Sequence, residues 1–269
     1  MKFEIDGRAA YAYTGGKPFD PALPAVVLIH GALNDHSVWG LQSRALAHHG
    51  HAVLAVDLPG HGRSDGPALD KIEACADWIV ELLDASGAQR AALAGHSMGS
   101  LIALEAAARL GARATHLAML GAAFPLKVSP ALLDAAERTP RSAIDMVTAF
   151  SHSTLAAKPS APGPGFSLHG SSRALMRRLQ DGYANAGHGN LFHHDFLACD
   201  RYAGALEAAQ RVRCPVQLIL GARDAMAPPR SAAPLREALA ARVVTLPGGH
   251  ALMGEAPDAV LNALREFLK

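Results

Sequence analysis

The stretch that decides the fold is residues 91–110, AALAGHSMGSLIALEAAARL. It opens with a short apolar run typical of a buried strand and continues with apolar residues at helical spacing up to Gly111, a common helix terminator. Between these halves lies Gly95-His96-Ser97-Met98-Gly99, which places a serine in a tight turn from strand to helix. Glycines on either side of that serine let neighbouring backbone approach without Cβ clashes. The pattern predicts that the Ser97 hydroxyl is lifted above a sheet, at the N-terminus of a helix.

Other apolar runs on both sides of this stretch lack polar alternation, which is typical of central strands buried on both faces. They lie at residues 25–30, 52–57, 116–120, 216–220 and 242–246. Helical-period stretches separate them, so the sequence predicts an α/β fold with a doubly wound, mostly parallel central sheet. Residues 2–13 alternate more and contain the hairpin signal Asp6-Gly7, so we expect them to form an antiparallel edge.

The pattern changes between Phe124 and about Cys214, where strand-like runs disappear and helical segments follow one another. Roughly ninety residues without a strand is too long for a simple crossover. A Pro/Gly-rich loop at residues 158–165 interrupts this region. We therefore predict a core domain of residues 1–123 and 214–269, with residues 124–213 inserted as a helical cap over the sheet.

Two further residues combine with Ser97 in a pattern that indicates acyl-transfer chemistry. Asp224 follows the run at 216–220, and His250 follows the run at 242–246. Both are therefore expected at the carboxyl edge of the sheet, where ligands bind in open α/β folds. Singly, each residue has a structural explanation as a helix cap, a turn residue or a surface histidine. Together, serine, acid and histidine in this chain order predict a catalytic triad.

The chain resembles the α/β-hydrolase superfamily over nearly its full length. The matching motifs, in order, are His30-Gly31, Asp57-Leu58-Pro59-Gly60-His61-Gly62-Arg63-Ser64, the pentapeptide around Ser97, residues 221–224 and Gly249-His250. The resemblance implies a serine hydrolase, similar to carboxylesterases with a helical cap. It says much less about the substrate, because this fold hosts many chemistries.

The expected chemistry assigns one role to each triad residue. A serine hydroxyl is a weak nucleophile, so His250 is expected to take its proton, since the reference pKa of histidine is about 6.5. Asp224 would orient the imidazole and stabilise its protonated form. The oxyanion would bind the backbone amide of Met98 and, by the resemblance, an amide of the loop after His30. Ala32 is the main candidate for that second donor, and Leu33 is the alternative.

The cap is expected to roof the active site and to set the substrate. The pocket candidates are Leu33, Phe150, Phe192 and Phe196, and further apolar candidates in the cap are Phe166, Met176 and Tyr183. At helical spacing most of the cap residues are expected to pack against the sheet or each other. A carboxylate clamp is less expected than solvated side chains for Arg173, Arg177 and Arg178. Supporting roles are expected for His30, His96, Asp57 and His61.

Composition and charge narrow the class of partner. The 25 Lys and Arg residues nearly balance 24 Asp and Glu residues, for a net charge of +1, so nothing points to nucleic acid. No run approaches the roughly 18 apolar residues of a membrane helix, and the N-terminus lacks the apolar region of a signal peptide. We therefore expect a cytoplasmic protein with a small-molecule substrate and with no nucleic-acid or membrane partner. The oligomeric state stays open.

Cofactor chemistry is not expected. The three cysteines are odd in number and widely spaced, which favours reduced thiols over disulfides. Histidine clusters at 48–51 and 193–195 lack the ligand spacing of a zinc hydrolase. No glycine-rich nucleotide motif is present either. The sequence therefore predicts neither a metal nor another cofactor.

Three functions remain open at this point. The first is hydrolysis of a small to medium carboxylic ester or thioester through an acyl-enzyme on Ser97, and the same scaffold also admits C–C bonds beside a ketone, lactones or amides. The second is a small-ligand sensor with slow or no turnover. The third is a lyase that uses the same serine as a base. The intact triad pattern favours hydrolysis.

Overall fold

The computed structural model describes residues 1–153 and 168–269, and the eight strands within those ranges form one sheet. The strands are β1 Lys2–Ile5, β2 Arg8–Tyr13, β3 Ala25–Ile29, β4 Ala52–Asp57, β5 Ala91–His96, β6 Ala114–Leu120, β7 Val216–Gly221 and β8 Arg242–Leu246. Their spatial order is β1-β2-β4-β3-β5-β6-β7-β8. Strands β3 to β8 run parallel, whereas β2 pairs antiparallel with β1 and β4. The predicted mostly parallel α/β sheet is confirmed.

Helices flank this sheet on both faces. They are α1 Gly40–His48, α2 Ile72–Ser86, α3 Met98–Leu110, α4 Pro130–Arg138, α5 Pro140–Ser151, α6 Leu168–Asn185, α7 Leu191–Arg201, α8 Ala205–Arg211, α9 Ala233–Ala238, α10 Leu252–Glu255 and α11 Pro257–Phe267. Short 3-10 helices lie at His36–Trp39, Gly111–Arg113 and Pro229–Ala232. Helix α3 begins directly after Ser97 and ends before Gly111, as the sequence predicts. Of the helices that the structure describes, none is long and apolar enough to cross a membrane.

Alternate residues of the central strands face two separate hydrophobic cores, which explains their continuous apolar runs. Val27 and Ile29 of β3 lie in a core with α2 and α3. Val26 and Leu28 lie in a second core with α1 and α11. Each fully buried Val, Leu or Ile side chain contributes about 1.5–3 kcal/mol, so the centre of the sheet is its most stable part. The turns at the carboxyl ends of these strands are therefore held by a rigid base.

Helices α4 to α7 form a third core over the carboxyl edge of the sheet. Its members include Ile144, Met176 and Phe192, together with Leu33 and Ala68 from loops of the sheet. Helix α8 differs, because it packs against α3 within the first core. The boundary of the cap at residue 213 stays a prediction. Helix α8 lies inside that boundary but packs against α3 of the core domain. The expected loop at 158–165 and Phe166 lie outside the described residues.

Candidate active site

Ser97 occupies a strained turn between β5 and α3. Its φ of +53° lies in the left-handed region, which costs a non-glycine residue roughly 1–3 kcal/mol. A Cβ on Gly95 would overlap the Gly99 carbonyl, and a Cβ on Gly99 would overlap the backbone carbonyl of His30. Only glycine fits at these two positions, so the pentapeptide pattern follows from backbone crowding. The Ser97 amide donates to the Leu120 carbonyl at 2.9 Å, which fixes the turn to β6.

Asp224 and His250 are joined by a hydrogen bond in the two loops that follow β7 and β8. Nδ1 of His250 lies 2.7 Å from Oδ2 of Asp224, and both side chains are buried. The other carboxylate oxygen accepts the amides of Met226 and Ala227 at 2.9 and 2.7 Å. Because a carboxylate only accepts hydrogen bonds, Nδ1 carries a proton, and in the neutral ring Nε2 is left as an acceptor. This is the tautomer that a general base needs.

The loop that carries His250 is braced from several sides. Nε2 of His96 lies 2.8 Å from the His250 carbonyl, and the Ala251 amide donates to the Ser151 carbonyl at 2.8 Å. Glu255 accepts the Gly249 amide at 2.9 Å. A Cβ on Gly121 would lie 3.1 Å from Cε1 of His250, so the neighbouring turn leaves little room for the ring to move.

His96 supports this loop as a neutral ring. Burial, followed by the charge of the nearby His250, lowers its pKa to about 3. Its Nε2 faces a carbonyl oxygen and therefore carries the proton. The opposite nitrogen, Nδ1, is buried and has no hydrogen-bond partner among the described residues. His96 thus has the supporting position that the sequence suggests.

The two predicted oxyanion donors lie beside Ser97. Ala32 lines both cavities beside Ser97, and Met98 is the first residue of α3. In residues 1–153 and 168–269, no acceptor is bonded to the amide of Ala32 or Met98. The alternative donor, Leu33, is engaged, because its amide donates to Asp195 Oδ2 at 2.7 Å. Ala32 is therefore the donor of this loop that stays available for a ligand.

His30 holds the same loop by hydrogen bonds from its buried ring. Its Nδ1 lies 2.8 Å from the Gly31 carbonyl, and its Nε2 accepts the Leu58 amide at 3.1 Å. One ring nitrogen faces an acceptor and the other a donor, so the neutral ring satisfies both. Burial, followed by the charge of His61, lowers the pKa of His30 to about 4. His30 therefore stays neutral at physiological pH.

Asp57 and His61, which the sequence groups as a scaffolding pair, have different partners. Oδ1 of Asp57 accepts both the amide and Nδ1 of His36 at 2.7 Å. Burial raises the pKa of Asp57, but hydrogen bonds from His36 outweigh it and hold the pKa below its usual range. His61 instead reaches the cap, where Nε2 lies 2.9 Å from Oδ2 of Asp195.

One group of side chains has the composition of a metal site. Asp35, His36 and Asp57 bring their potential ligand atoms within 4.8 Å of one another. Each already has a protein partner: Asp35 binds Ser37 and Arg178, and His36 binds Asp57. The two carboxylates and the imidazole are therefore all satisfied by protein groups, and the arrangement needs no ion.

Two cavities meet at Ser97 and His250. The larger, of about 600 Å³, contacts Met176, Phe192 and Phe196 of the cap. The smaller, of about 260 Å³, also contacts Phe196, and it contacts Phe150, which is 57% exposed. Leu33 lines neither cavity, because its side chain is fully buried in the core of the cap. Tyr183 is also absent from both linings, and its hydroxyl accepts the Ala68 amide at 3.1 Å.

The three cap arginines are paired with carboxylates. Arg173 and Arg177 both contact Asp145, and Arg178 contacts Asp35 at 2.7 Å. None of the three lines either cavity. Their side chains are between about a third and two thirds exposed, which agrees with the solvated positions expected from the sequence.

Sequence reasoning missed Asp195 and Glu255. In the sequence Asp195 stands out only as part of the histidine cluster at 193–195, yet it lies on the apolar face of α7 with Phe192, Phe196 and Cys199. A charged residue at an apolar helical position rarely stays buried unless it is paired, and this is the signal that could have found it. Glu255 offers no such signal, because its partners depend on how the cap is seated.

Comparison with known proteins agrees with this fold. A family model described as alpha/beta hydrolase fold matches residues 24–257. The chain belongs to the α/β-hydrolase family. A 78-residue stretch is 40% identical to the (E)-2-((N-methylformamido)methylene)succinate hydrolase of Acinetobacter baylyi, a match that spans only 29% of this chain and 29% of the relative.

Similarity to solved structures extends over the whole chain. An esterase from Exiguobacterium antarcticum has a TM-score of 0.81 at 19% identity, covering 100% of this chain and 98% of that one. The enol-lactonase from Burkholderia xenovorans has a TM-score of 0.79 at 23% identity, with coverages of 100% and 99%. At these identities the similarity concerns the fold.

Proposed function

We propose that this chain is a serine hydrolase that cleaves a small to medium carboxylic ester or thioester through an acyl-enzyme on Ser97. The observation that carries the proposal is the buried hydrogen bond of 2.7 Å between Asp224 and His250, in loops that line the same cavities as Ser97. The strained serine turn and the free amides of Ala32 and Met98 supply the remaining parts of an acyl-transfer site.

The proposed reaction proceeds in two halves. Nε2 of His250 takes the Ser97 proton while Oγ attacks the carbonyl carbon, and the oxyanion binds the amides of Ala32 and Met98. The tetrahedral intermediate collapses, His250 gives the proton to the leaving alcohol or thiol, and the acyl group stays on Ser97. Water then attacks the acyl-enzyme by the same route, which releases the acid and restores the serine.

The cavities support a substrate with an apolar acyl part. Among the described residues that line them, there is no Asp or Glu, and Leu175, Met176, Phe192 and Phe196 form an apolar wall of the larger one. A volume of about 600 Å³ lies within the usual range of small-molecule sites. The names of the structural neighbours, an esterase and an enol-lactonase, are compatible with ester chemistry.

The test combines labelling with a substrate series. A fluorophosphonate probe should label wild-type protein at Ser97, and p-nitrophenyl esters of increasing chain length should be hydrolysed with one preferred length. Ser97→Ala should lower kcat by roughly 10⁴-fold or more, because the nucleophile is lost, with little change in the unfolding temperature. The matched control is Ser86→Ala. Ser86 is a buried serine at the end of α2, and its hydroxyl donates to the Leu83 carbonyl and accepts the Ala88 amide.

The outcomes separate the rival functions. Loss of activity in Ser97→Ala together with normal activity in Ser86→Ala supports the proposal. A Ser97→Ala protein that kept more than a few per cent of wild-type turnover would contradict the nucleophile. A wild type that is labelled at Ser97 but hydrolyses no ester or thioester would favour the sensor or the lyase.

A further inference from the structure

The loop that offers the Ala32 amide is tied to the cap by one buried carboxylate. Oδ2 of Asp195, on α7, accepts the Leu33 amide at 2.7 Å and Nε2–H of His61 at 2.9 Å. Asp195 is 3% exposed, and Leu33 and His61 are also buried. The bond therefore joins a cap helix directly to the loop beside Ser97, across 162 residues of sequence.

Leu33 needs this support because its backbone is strained. Its φ of +49° lies in the left-handed region, which is unfavourable for a residue other than glycine. A buried amide without an acceptor would destabilise this conformation further. The carboxylate of Asp195 satisfies that amide and so stabilises the conformation of the loop at this residue.

The orientation of the Ala32 amide depends on its own peptide group and on the peptide group that follows it. The carbonyl of Gly31, which belongs to the same planar peptide as the Ala32 amide, faces Nδ1 of His30 at 2.8 Å. The following peptide is held at its carbonyl by Asn34 Nδ2 at 3.0 Å and at its amide by Asp195. Removal of Asp195 frees one end of this second peptide and so removes one of the restraints on the orientation of the Ala32 amide.

The contacts of His61 show why the tie is strong. Its Nδ1 faces the Pro59 carbonyl at 3.1 Å and its Nε2 faces Asp195, so both nitrogens meet acceptors and both carry a proton. Burial lowers the pKa of His61, but the charge of Asp195 and the hydrogen bonds to it outweigh this and raise the pKa above its usual value. Burial likewise raises the pKa of Asp195, and His61 reverses the shift and lowers it. The hydrogen-bond geometry and both directions of shift favour an imidazolium paired with a carboxylate.

We propose that Asp195 is a positioning residue, which holds residues 30–34, here named the oxyanion loop, from the cap so that the Ala32 amide points at the reacting carbonyl. This inference rests on the proposed function. It gives the cap a part in the chemistry as well as in substrate fit, because α7 carries both Asp195 and the cavity residues Phe192 and Phe196. A substrate that displaces α7 therefore also displaces one end of the oxyanion loop.

The test compares Asp195→Ala and Asp195→Asn with a control on α6 that contacts the start of α7. The control is Gln180→Ala, which removes the buried acceptor of the Phe192 amide at the start of α7 and touches neither cavity nor Leu33. For each folded variant, kcat, KM and the inhibition constant of an alkyl boronic acid are measured, since the boronate forms a tetrahedral adduct that uses the oxyanion site. The unfolding temperature reports stability separately.

Asp195→Ala should lower kcat roughly 10- to 100-fold, part of the loss caused by removing one oxyanion donor. KM should change by less than about threefold, and boronate affinity should fall by a factor similar to that of kcat/KM. Asp195→Asn should lie between Asp195→Ala and wild type, because its amide oxygen still accepts the Leu33 amide without the charge. Gln180→Ala should lower the unfolding temperature and leave kcat within about twofold.

Each outcome decides the inference. Wild-type kcat and boronate affinity in Asp195→Ala would overturn it, and so would an equal loss of kcat in Gln180→Ala, which would point to a general effect of α7. If Asp195→Ala does not fold, the decision passes to Asp195→Asn, and wild-type kcat there overturns the inference. Failure of the wild type to hydrolyse any ester would instead overturn the proposed function, and this inference with it.

Discussion

Two loops flank Ser97, and the cap holds them by different chemistry. The oxyanion loop, residues 30–34, is tied to α7 by the buried pair of Asp195 and His61. The histidine loop, residues 247–251, is tied to the end of α5 by the bond between Ala251 and Ser151 and by Glu255. The first tie is a single charged side chain, and the second is a set of separate contacts.

The two loops differ in how far the loss of one contact disturbs them. When a loop has several independent contacts, the loss of one leaves the others in place, and its effect on orientation is small. When one carboxylate serves a strained peptide and a buried imidazolium, its loss leaves two polar groups unsatisfied at once. We therefore expect substitutions at the oxyanion loop's tie to affect kcat more than substitutions at any one contact of the histidine loop.

The largest expected effect concerns acid stability, since the histidine loop depends on a neutral His96. The pKa of this buried ring is lowered from 6.5 to about 3. Between those values the unfolded chain binds a proton that the folded chain does not, so the free energy of unfolding falls as pH falls. His96→Gln, whose amide can still donate to the His250 carbonyl, should flatten this slope by about 1.4 kcal/mol per pH unit. Urea unfolding between pH 7 and 4 measures the slope.

The pair of Asp195 and His61, which ties the oxyanion loop to the cap, should lose stability as pH rises, whereas His96 causes a loss as pH falls. The raised pKa of His61 means that its contribution is complete below the usual value of 6.5 and is lost as pH rises through the raised pKa. The lowered pKa of Asp195 means that its contribution is lost only as pH falls below the usual value of 3.8. An unchanged acid slope in His96→Gln would show that His96 is not a source of the acid instability and would break this contrast.

A smaller effect is expected for Glu255→Gln, which weakens one contact of the histidine loop. Glu255 accepts the Gly249 amide and both the amide and hydroxyl of Ser153. Because His96 and Ser151 still hold the loop, kcat should fall by less than about tenfold. Steady-state kinetics beside Asp258→Asn, an exposed carboxylate on α11, provide the control. A loss in Glu255→Gln larger than in Asp195→Ala would reverse the ranking of the two ties.

The sequence predicted the parts of the fold that depend on local pattern. Continuous apolar runs located the parallel strands, and Asp6-Gly7 located the hairpin, where both residues have positive φ. The glycines around Ser97 were readable because backbone crowding admits no other residue there. These features need only the chain's own backbone geometry.

The contacts between the cap and the loops were not readable in this way. Asp195 meets Leu33 only because α7 is seated over the sheet, and Glu255 meets Ser153 only because α5 ends beside the histidine loop. The grouping of Asp57 with His61 followed their closeness in sequence, whereas the fold gives them partners 21 and 134 residues away. Long-range polar pairing depends on tertiary packing, which no local pattern records.

The smallest expected effect tests whether substrate fit can be separated from the oxyanion loop's tie. Phe192 is fully buried beside Phe196, with ring centroids 4.4 Å apart, and it lines the larger cavity. Its side chain takes no part in the hydrogen bond between Asp195 and Leu33. Phe192→Ala should therefore shift the preferred acyl length upward, since each methylene in an apolar pocket is worth about 1–3 kcal/mol of discrimination. For the shortest ester, kcat should stay within about threefold of wild type, because both oxyanion amides keep their orientation.

Phe192→Leu is the milder variant if the cavity left by alanine destabilises the cap, and Phe150→Ala, at an exposed position of the smaller cavity, is the matched control. The measurement is kcat/KM along the p-nitrophenyl ester series. A flat length profile in both Phe192 variants would remove the larger cavity as the acyl site, whereas a fall in kcat as large as that of Asp195→Ala would mean that fit and chemistry are not separable in α7.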